Sequence, residues 1–326
     1  MLYLARFCVG LAFTVVLLGA YTRLRDAGLG CPDWPGCYGN WFLPEADTAR
    51  LASQALYPDV PIEPYKAWTE MIHRYFAGTL GFCVLILAFY TVIKSKTLKI
   101  SRTLPLSLLA LIIFQALLGM WTVTLKLLPI VVMGHLIGGF ACLTLLWWMT
   151  LQLQKPPLRV ATDSRHRDLT LFAMGLLVLQ IILGGWTSAN YAAVVCTHFP
   201  YCGEAFWPHF DWQAFNLLGA SALDKPIDFM SYPARVTIHM LHRLGAALNV
   251  ILLSILIFKL WSTYRKAAIL LSGLLCTQIM LGIVNVIHHL PLTVAVLHNG
   301  VAALLWLTLF TVWYQQSRIQ AGLRHE

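Results

Sequence analysis

Residues 104–125 read LPLSLLALIIFQALLGMWTVTL, a stretch of twenty-two residues without one charged side chain. A helix of about 20 apolar residues spans the hydrocarbon core of a bilayer, so this stretch predicts a transmembrane helix. The whole chain of 326 residues is 59% hydrophobic and only 11% charged. That is too little charge to cover a water-soluble particle, which excludes a cytosolic enzyme, a nucleic-acid-binding protein and a disordered chain.

Seven further stretches have the same apolar character, so the sequence predicts an all-α integral membrane protein with eight transmembrane helices. The predicted spans are roughly 3–22, 70–93, 104–125, 131–152, 168–188, 233–258, 267–288 and 292–314. The first span continues to Tyr21 and Thr22 without a small-residue cleavage site. We therefore interpret it as a true span and not as a signal peptide.

Basic residues are concentrated in the short connections, and this sets the predicted orientation. Only Asp163 and Glu326 oppose thirteen Lys and Arg residues in the segments 94–102, 153–167, 259–266 and 315–326. The long loops 23–69 and 189–232 together hold five basic and ten acidic residues. Short loops rich in Lys and Arg stay in the cytoplasm, so both termini are predicted to be cytoplasmic. Arg23 and Arg25 lie on the outer side and are exceptions to this rule.

The sequence repeats itself, first at the level of single spans. The odd-numbered spans share a glycine near their outer ends, and the even-numbered spans share a histidine there. The glycines are Gly19, Gly119, Gly184 and Gly282, and the histidines are His73, His135, His242 and His298. Three of the glycines follow a glutamine by four residues, at Gln115, Gln180 and Gln278.

The two halves of the chain also match each other. Cys31-x5-Cys37 returns as Cys196-x5-Cys202, and Glu70-Met71-Ile72-His73-Arg74 returns as His239-Met240-Leu241-His242-Arg243. We therefore expect two four-helix bundles, residues 1–155 and 156–326. Because each half has an even number of spans, a pseudo-twofold axis along the membrane normal should relate them.

Four histidines at one depth predict a cofactor site in each half, because an ionisable residue inside a span is costly and indicates function. Each half brings two imidazoles into one helix bundle, and two facing imidazoles suit the fifth and sixth positions of haem iron. Zinc prefers three or four ligands. Copper would call for a Met or Cys beside the histidines in both halves, so we favour haem at His73 with His135 and at His242 with His298.

Three charged residues lie beside these histidines. Arg74 and Arg243 directly follow two of them, and each suits either a haem propionate or a snorkelling role at a helix end. Glu70 lies one turn before His73, where the second half has His239 instead. Glu70 is a candidate proton acceptor or ligand of a reaction intermediate. The alternative is that its charge interacts favourably with the macrodipole at the start of the helix.

The paired cysteines lie in the two outer loops. On the oxidising side of a membrane each pair, Cys31 with Cys37 and Cys196 with Cys202, is a candidate disulfide. Either pair can serve as a loop staple of modest effect, and the alternative for Cys31 and Cys37 is a redox-active pair beside Glu70. The sequence contains no Walker-type loop, dinucleotide fingerprint, Ser-His-Asp order or HExxH motif.

The loop Gly28-Leu-Gly-Cys-Pro-Asp-Trp-Pro-Gly-Cys37, with Glu70-x-x-His-Arg74, His135, His242-Arg243 and His298, resembles the haem A synthase family over essentially the whole chain. The resemblance implies an enzyme that oxidises the C8 methyl of haem O to the formyl group of haem A, for use in terminal oxidases. It implies that His73 and His135 face the substrate haem and that His242 and His298 ligate a haem b cofactor. It also implies that Glu70 is catalytic and that Cys31 and Cys37 are the outer-loop pair, which some branches lack.

The resemblance further implies a bacterial inner membrane location, delivery of haem O by the haem O synthase (a farnesyltransferase) and a place in cytochrome oxidase assembly. No nucleic acid partner is expected, and assembly into a homo-oligomer is left open. The competing function is a di-haem cytochrome b-type electron-transfer protein. Such a protein has no use for a carboxylate in one half only, and it usually places its haems near opposite membrane faces.

Overall fold

The computed structural model describes residues 1–43, 47–154, 166–202, 209–216 and 230–323. Every regular element among these residues is a helix, and eight of the helices are long and apolar enough to cross a membrane. The all-α prediction with eight spans is therefore confirmed. The predicted boundary at 155/156 lies outside the described residues, as do Lys155, Arg159, Asp163, Arg165, Arg324 and Glu326.

The described helices are numbered in chain order. They are α1 (Leu2–Leu24), α2 (Asp47–Leu56), α3 (Pro64–Ile93), α4 (Ser95–Leu98), α5 (Thr103–Thr124), α6 (Pro129–Gln154), α7 (Arg167–Ala189), α8 (Tyr232–Leu260), α9 (Arg265–Ile287) and α10 (Leu292–Leu323). A single 3-10 turn covers Trp212–Phe215. The short helices α2 and α4 lie in connections, and the other eight are the membrane helices.

Helix α3 begins at Pro64, six residues before the predicted start at residue 70. Residues 64–69 are too polar to extend an apolar span, but a proline suits the first position of a helix. Glu70 consequently lies in the second turn of α3. The macrodipole acts within the first turn, so the interpretation of Glu70 as a helix-end charge is wrong.

The described residues form two compact units, divided after Gln154. In the first unit, α3 and α6 each pack against both α1 and α5. In the second unit, α8 and α10 each pack against both α7 and α9. The two histidine-bearing helices of each unit therefore lie diagonally across a four-helix bundle, where their side chains can meet at its centre. The pseudo-twofold relation between the units stays a prediction.

The four helices that carry the repeated glycine end in the same turn. Seven residues after each glycine, one residue adopts a left-handed φ of 46° to 54°: Asp26, Lys126, Tyr191 and His289. The next N–H donates to the carbonyl five residues back, at 2.8 to 3.0 Å, as in the bond from Ala27 to Thr22. This is the usual left-handed helix ending. The end of each unit that carries these turns is called the disulfide end below, because the cysteine loops follow α1 and α7 there.

Candidate functional site

In the first unit, His73 and His135 face each other between α3 and α6. Their ring centroids are 6.4 Å apart and their ring planes cross at 87°. Two imidazoles bound on opposite sides of one metal ion through bonds of about 2 Å have ring centres roughly 6 Å apart. The Nδ1 atoms of both rings are buried without a hydrogen-bond partner, whereas buried polar atoms are normally satisfied. Spacing and unsatisfied atoms together fit a metal between the rings.

Each repeated glycine lies against the histidine of the next membrane helix. An ideal Cβ placed on the glycine would stand close to Cε1 of the ring, in the pairs Gly19–His73 (3.1 Å), Gly119–His135 (3.6 Å), Gly184–His242 (3.0 Å) and Gly282–His298 (3.3 Å). A larger residue at the closest of these positions would push the imidazole aside. The repeated glycines of the sequence therefore contact the repeated histidines, and this contact occurs in four equivalent pairs.

Each of these sites offers two candidate metal ligands, both of them histidines. Among the residues that the structure describes, no three or more His, Cys, Asp and Glu side chains gather into a metal site. A structural zinc ion takes four protein ligands and a catalytic zinc ion takes three. Two diagonal imidazoles instead match the axial positions of haem iron, so the residues present fit haem better than zinc.

The histidines of the second unit have glutamine neighbours. Nε2 of Gln180 lies 3.0 Å from Nδ1 of His242 and also donates to the His242 carbonyl at 3.0 Å. Nε2 of Gln278 lies 3.1 Å from Nε2 of His298. In the first unit, Gln115 packs against Gly138, where a Cβ would stand 1.7 Å from its Nε2, much as Gln180 packs against Gly245 in the second. The Nε2 of Gln115, however, is buried without a hydrogen-bond partner. The sequence showed the three glutamines as a repeat, but only the structure shows which of them orient a histidine.

Glu70 connects the histidine helix α3 to the first disulfide loop. Its side chain is buried, and its Oε2 accepts a hydrogen bond from the Cys31 N–H at 3.0 Å. Its Oε1 forms an ion pair with Nη2 of Arg74. The sequence contains the i, i+4 spacing of this Glu–Arg pair, which is a recognised helix contact. This spacing is the sequence signal for the ion pair, which was not among the predictions.

Arg74 and Arg243 hold the two disulfide loops, which close between Cys31 and Cys37 and between Cys196 and Cys202. Nη1 of Arg74 donates to three loop carbonyls, those of Asp33 at 3.0 Å, Pro35 at 3.3 Å and Gly36. Arg243 donates in the same way to the carbonyls of Cys196, His198, Pro200 and Tyr201, at 3.0 to 3.2 Å. These charge-assisted bonds favour a loop-holding role for both arginines over the expected contact with propionates.

The two units differ at the position of Glu70. In the second unit this position is His239, which is equally buried and whose Nδ1 lies 2.8 Å from the Ala192 carbonyl. A carboxylate therefore lies one helical turn before His73 in the first unit, and an imidazole lies one helical turn before His242 in the second. The asymmetry expected from the sequence lies, within each unit, one turn from a histidine of the pair.

Comparison with known proteins adds to this geometry. A family model described as COX15-CtaA, cytochrome oxidase assembly protein, matches residues 3–310. A curated protein of Shewanella oneidensis named heme A synthase is 48% identical, over 96% of this chain and 95% of its own length. Proteins with the same name from Novosphingobium aromaticivorans and Neorickettsia sennetsu are 28% and 24% identical, and each comparison covers more than nine tenths of both chains.

Proposed function

The chain belongs to the COX15-CtaA family of cytochrome oxidase assembly proteins, and from this premise we propose that it is a haem A synthase. It oxidises the C8 methyl of haem O to the formyl group of haem A. One observation carries the proposal beyond the family. The first unit combines the His73–His135 pair with the buried carboxylate of Glu70, and the otherwise similar second unit has His239 in its place.

We assign the substrate haem to the first unit and a resident haem b to the second. An amide side chain lies against each histidine of the second unit, Gln180 at His242 and Gln278 at His298. Through its oxygen such an amide can accept the N–H of a ligand histidine and fix its orientation, which supports a permanent site. Bound haem b supplies one-electron redox chemistry that protein side chains lack. Gly184 and Gly282 have no side chain, and this leaves room for the imidazole rings of His242 and His298.

Glu70 is proposed as the proton acceptor of the reaction. With water as the oxygen source, conversion of a methyl to a formyl group releases equal numbers of protons and electrons. The electrons would leave through haem redox chemistry to an external acceptor, and a buried carboxylate beside the substrate site would take up protons. The Cys31 N–H and the Arg74 guanidinium fix this carboxylate one turn from His73. Cys31 and Cys37 contribute by closing the loop that presents this N–H.

The chain is placed in the bacterial inner membrane with both termini cytoplasmic and the disulfide end towards the periplasm. The closed disulfide that follows α1 in the first unit and the one that follows α7 in the second support this orientation, because disulfides persist on the oxidising side. Haem O is then supplied from the bilayer by the haem O synthase. The product passes to cytochrome oxidase assembly.

Product analysis in cells tests the proposed reaction. The chain is expressed in a strain that makes haem O but no haem A, and the extracted haems are identified by chromatography and mass spectrometry. We expect haem A, with some hydroxylated haem O. Bound haem b without either product would contradict the proposed enzymatic activity. It would favour the alternative function, that of a di-haem electron-transfer protein.

Replacing Gly184 by Val should weaken the retention of haem in the second unit. The new Cβ would stand 3.0 Å from Cε1 of His242, and overpacking of this kind costs about 1–3 kcal/mol. Affinity for haem should fall roughly 5- to 150-fold, measured as absorbance of bound haem per purified chain. Gly175→Val in the same helix is the control, because nothing lies within 4 Å of its added Cβ. Equal haem content in the two variants would contradict the packing argument.

A further inference from the structure

Arg23 and Arg25 are the two basic residues that the topology prediction does not explain. The structure separates them. Arg25 is exposed, and its guanidinium bonds Tyr65 through Nε at 2.9 Å and lies 4.5 Å above that ring. The Arg23 side chain is only 15% exposed and belongs to the last turn of α1. Arg25 is thus held at the surface by an aromatic ring, and Arg23 calls for a different explanation.

The direction of Arg23 follows from its neighbours along α1. Gly19 faces the His73 ring, and Val16 faces α6, where its Cγ2 lies 3.9 Å from an ideal Cβ on Gly139. Each residue turns a helix by about 100°, so Val16 lies roughly 60° from Gly19, and Arg23 lies roughly 40° from Gly19 in the same sense. Arg23 therefore points between the His73 ring and α6, the helix that carries His135.

The height of Arg23 is also defined. It lies four residues beyond Gly19, which is about 6 Å further towards the disulfide end. Gly19 marks the level of the His73 ring, so the backbone of Arg23 lies about one turn above that ring. The carboxylates of a porphyrin bound between the two imidazoles would lie at one edge of its ring, roughly one to two helical turns from the metal, within the reach of an arginine side chain at this position. From this placement we infer that Arg23 binds a propionate carboxylate of the substrate haem in the first unit.

The corresponding positions in the other glycine helices carry no charge. Four residues after Gly119, Gly184 and Gly282 stand Val123, Ser188 and Val286. Arg23 is thus specific to the unit that also has Glu70. The inference rests on the proposed function, since the carboxylate that Arg23 would bind belongs to the substrate haem of the first unit.

Arg23 forms an ion pair with Asp26, a residue that can be displaced by another carboxylate. Its Nη1 lies 3.2 Å from Oδ1 of Asp26, whose side chain is 59% exposed. Because Asp26 is exposed to solvent, it can give way when a carboxylate of a porphyrin bound between His73 and His135 approaches the guanidinium. A planar guanidinium binds a carboxylate through two parallel N–H bonds.

A porphyrin with blocked carboxylates tests the inference. Iron protoporphyrin IX and its dimethyl ester are titrated by absorbance into the full-length purified protein, and binding to the first unit is taken as the component that His73→Ala removes. Wild type should bind the free acid roughly tenfold or more tightly than the ester. Arg23→Gln should abolish this preference, and Arg23→Lys should keep part of it. Arg25→Gln removes the same charge from the neighbouring surface and should behave like wild type.

Two results would overturn the inference, and they are distinguishable. If Arg23→Gln keeps the preference for the free acid while His73→Ala removes a binding component, Arg23 is not the carboxylate site and the proposed function stands. If His73→Ala removes no component, the first unit is not a porphyrin site, and the proposed function fails with the inference. The spectrum of the haem retained in the second unit shows in each variant that the protein is folded.

Discussion

Replacing Glu70 by Gln is expected to lower haem A formation at least a hundredfold and to leave the resident haem of the second unit in place. The amide keeps the size of the side chain and can still accept a hydrogen bond from the Cys31 N–H, but it no longer takes up a proton. General acid–base groups contribute about 10²–10⁴-fold to a rate. Haem A is measured in extracts, and the resident haem is measured by the absorbance of the purified protein.

Two further variants define what a loss of activity means. His239→Gln changes the equally buried residue at the matching position of the second unit and should leave haem A formation within a few-fold of wild type. Arg74→Gln removes the ion pair with Glu70 but keeps the carboxylate, so it should retain more activity than Glu70→Gln. Equal losses in Arg74→Gln and Glu70→Gln would assign the effect to the ion pair. Loss of both haems in Glu70→Gln would make Glu70 a structural residue.

The second large effect is expected for substitutions in the two histidine pairs. Substitutions in the first and in the second pair should cause the loss of different haems. His298→Ala removes an axial ligand of the resident haem and should eliminate its absorbance and all haem A formation. His73→Ala should abolish haem A formation while the resident haem stays at wild-type content. Retention of bound haem falls by at least tenfold when one ligand of a metal site is removed, because even outer-shell changes cost about 10–100-fold.

His288→Ala is the control for these variants, because this histidine is exposed at the end of α9. It should retain both the resident haem and the product. If His73→Ala and His298→Ala remove the same haem, the assignment of different haems to the two units is wrong.

The apolar spans could be predicted from the sequence because hydrophobic length alone determines which segments can cross a bilayer. The start of α3 could not, since residues 64–69 are polar and continue the helix beyond the apolar segment. The earlier start places Glu70 in the second turn of α3, where the helix macrodipole no longer stabilises its charge.

The candidate site was partly visible in the sequence. The glycine and histidine repeats were found, but their contact, such as that of Gly184 with His242, joins different helices and does not follow from spacing along the chain. In the sequence, Arg23 is only an exception to the charge rule. Its direction, between the His73 ring and α6, depends on how α1 packs, which no local pattern specifies.

The central claim is that the two units hold different haems, and an inventory of the haems bound to the purified wild-type protein tests it most directly. Mass spectrometry and absorbance should give a constant content of one haem b per chain. They should also give haem O, its hydroxylated form or haem A in a smaller amount that rises with the haem O made by the cells. Two haem b per chain, with no haem derived from haem O at any supply, would contradict the account.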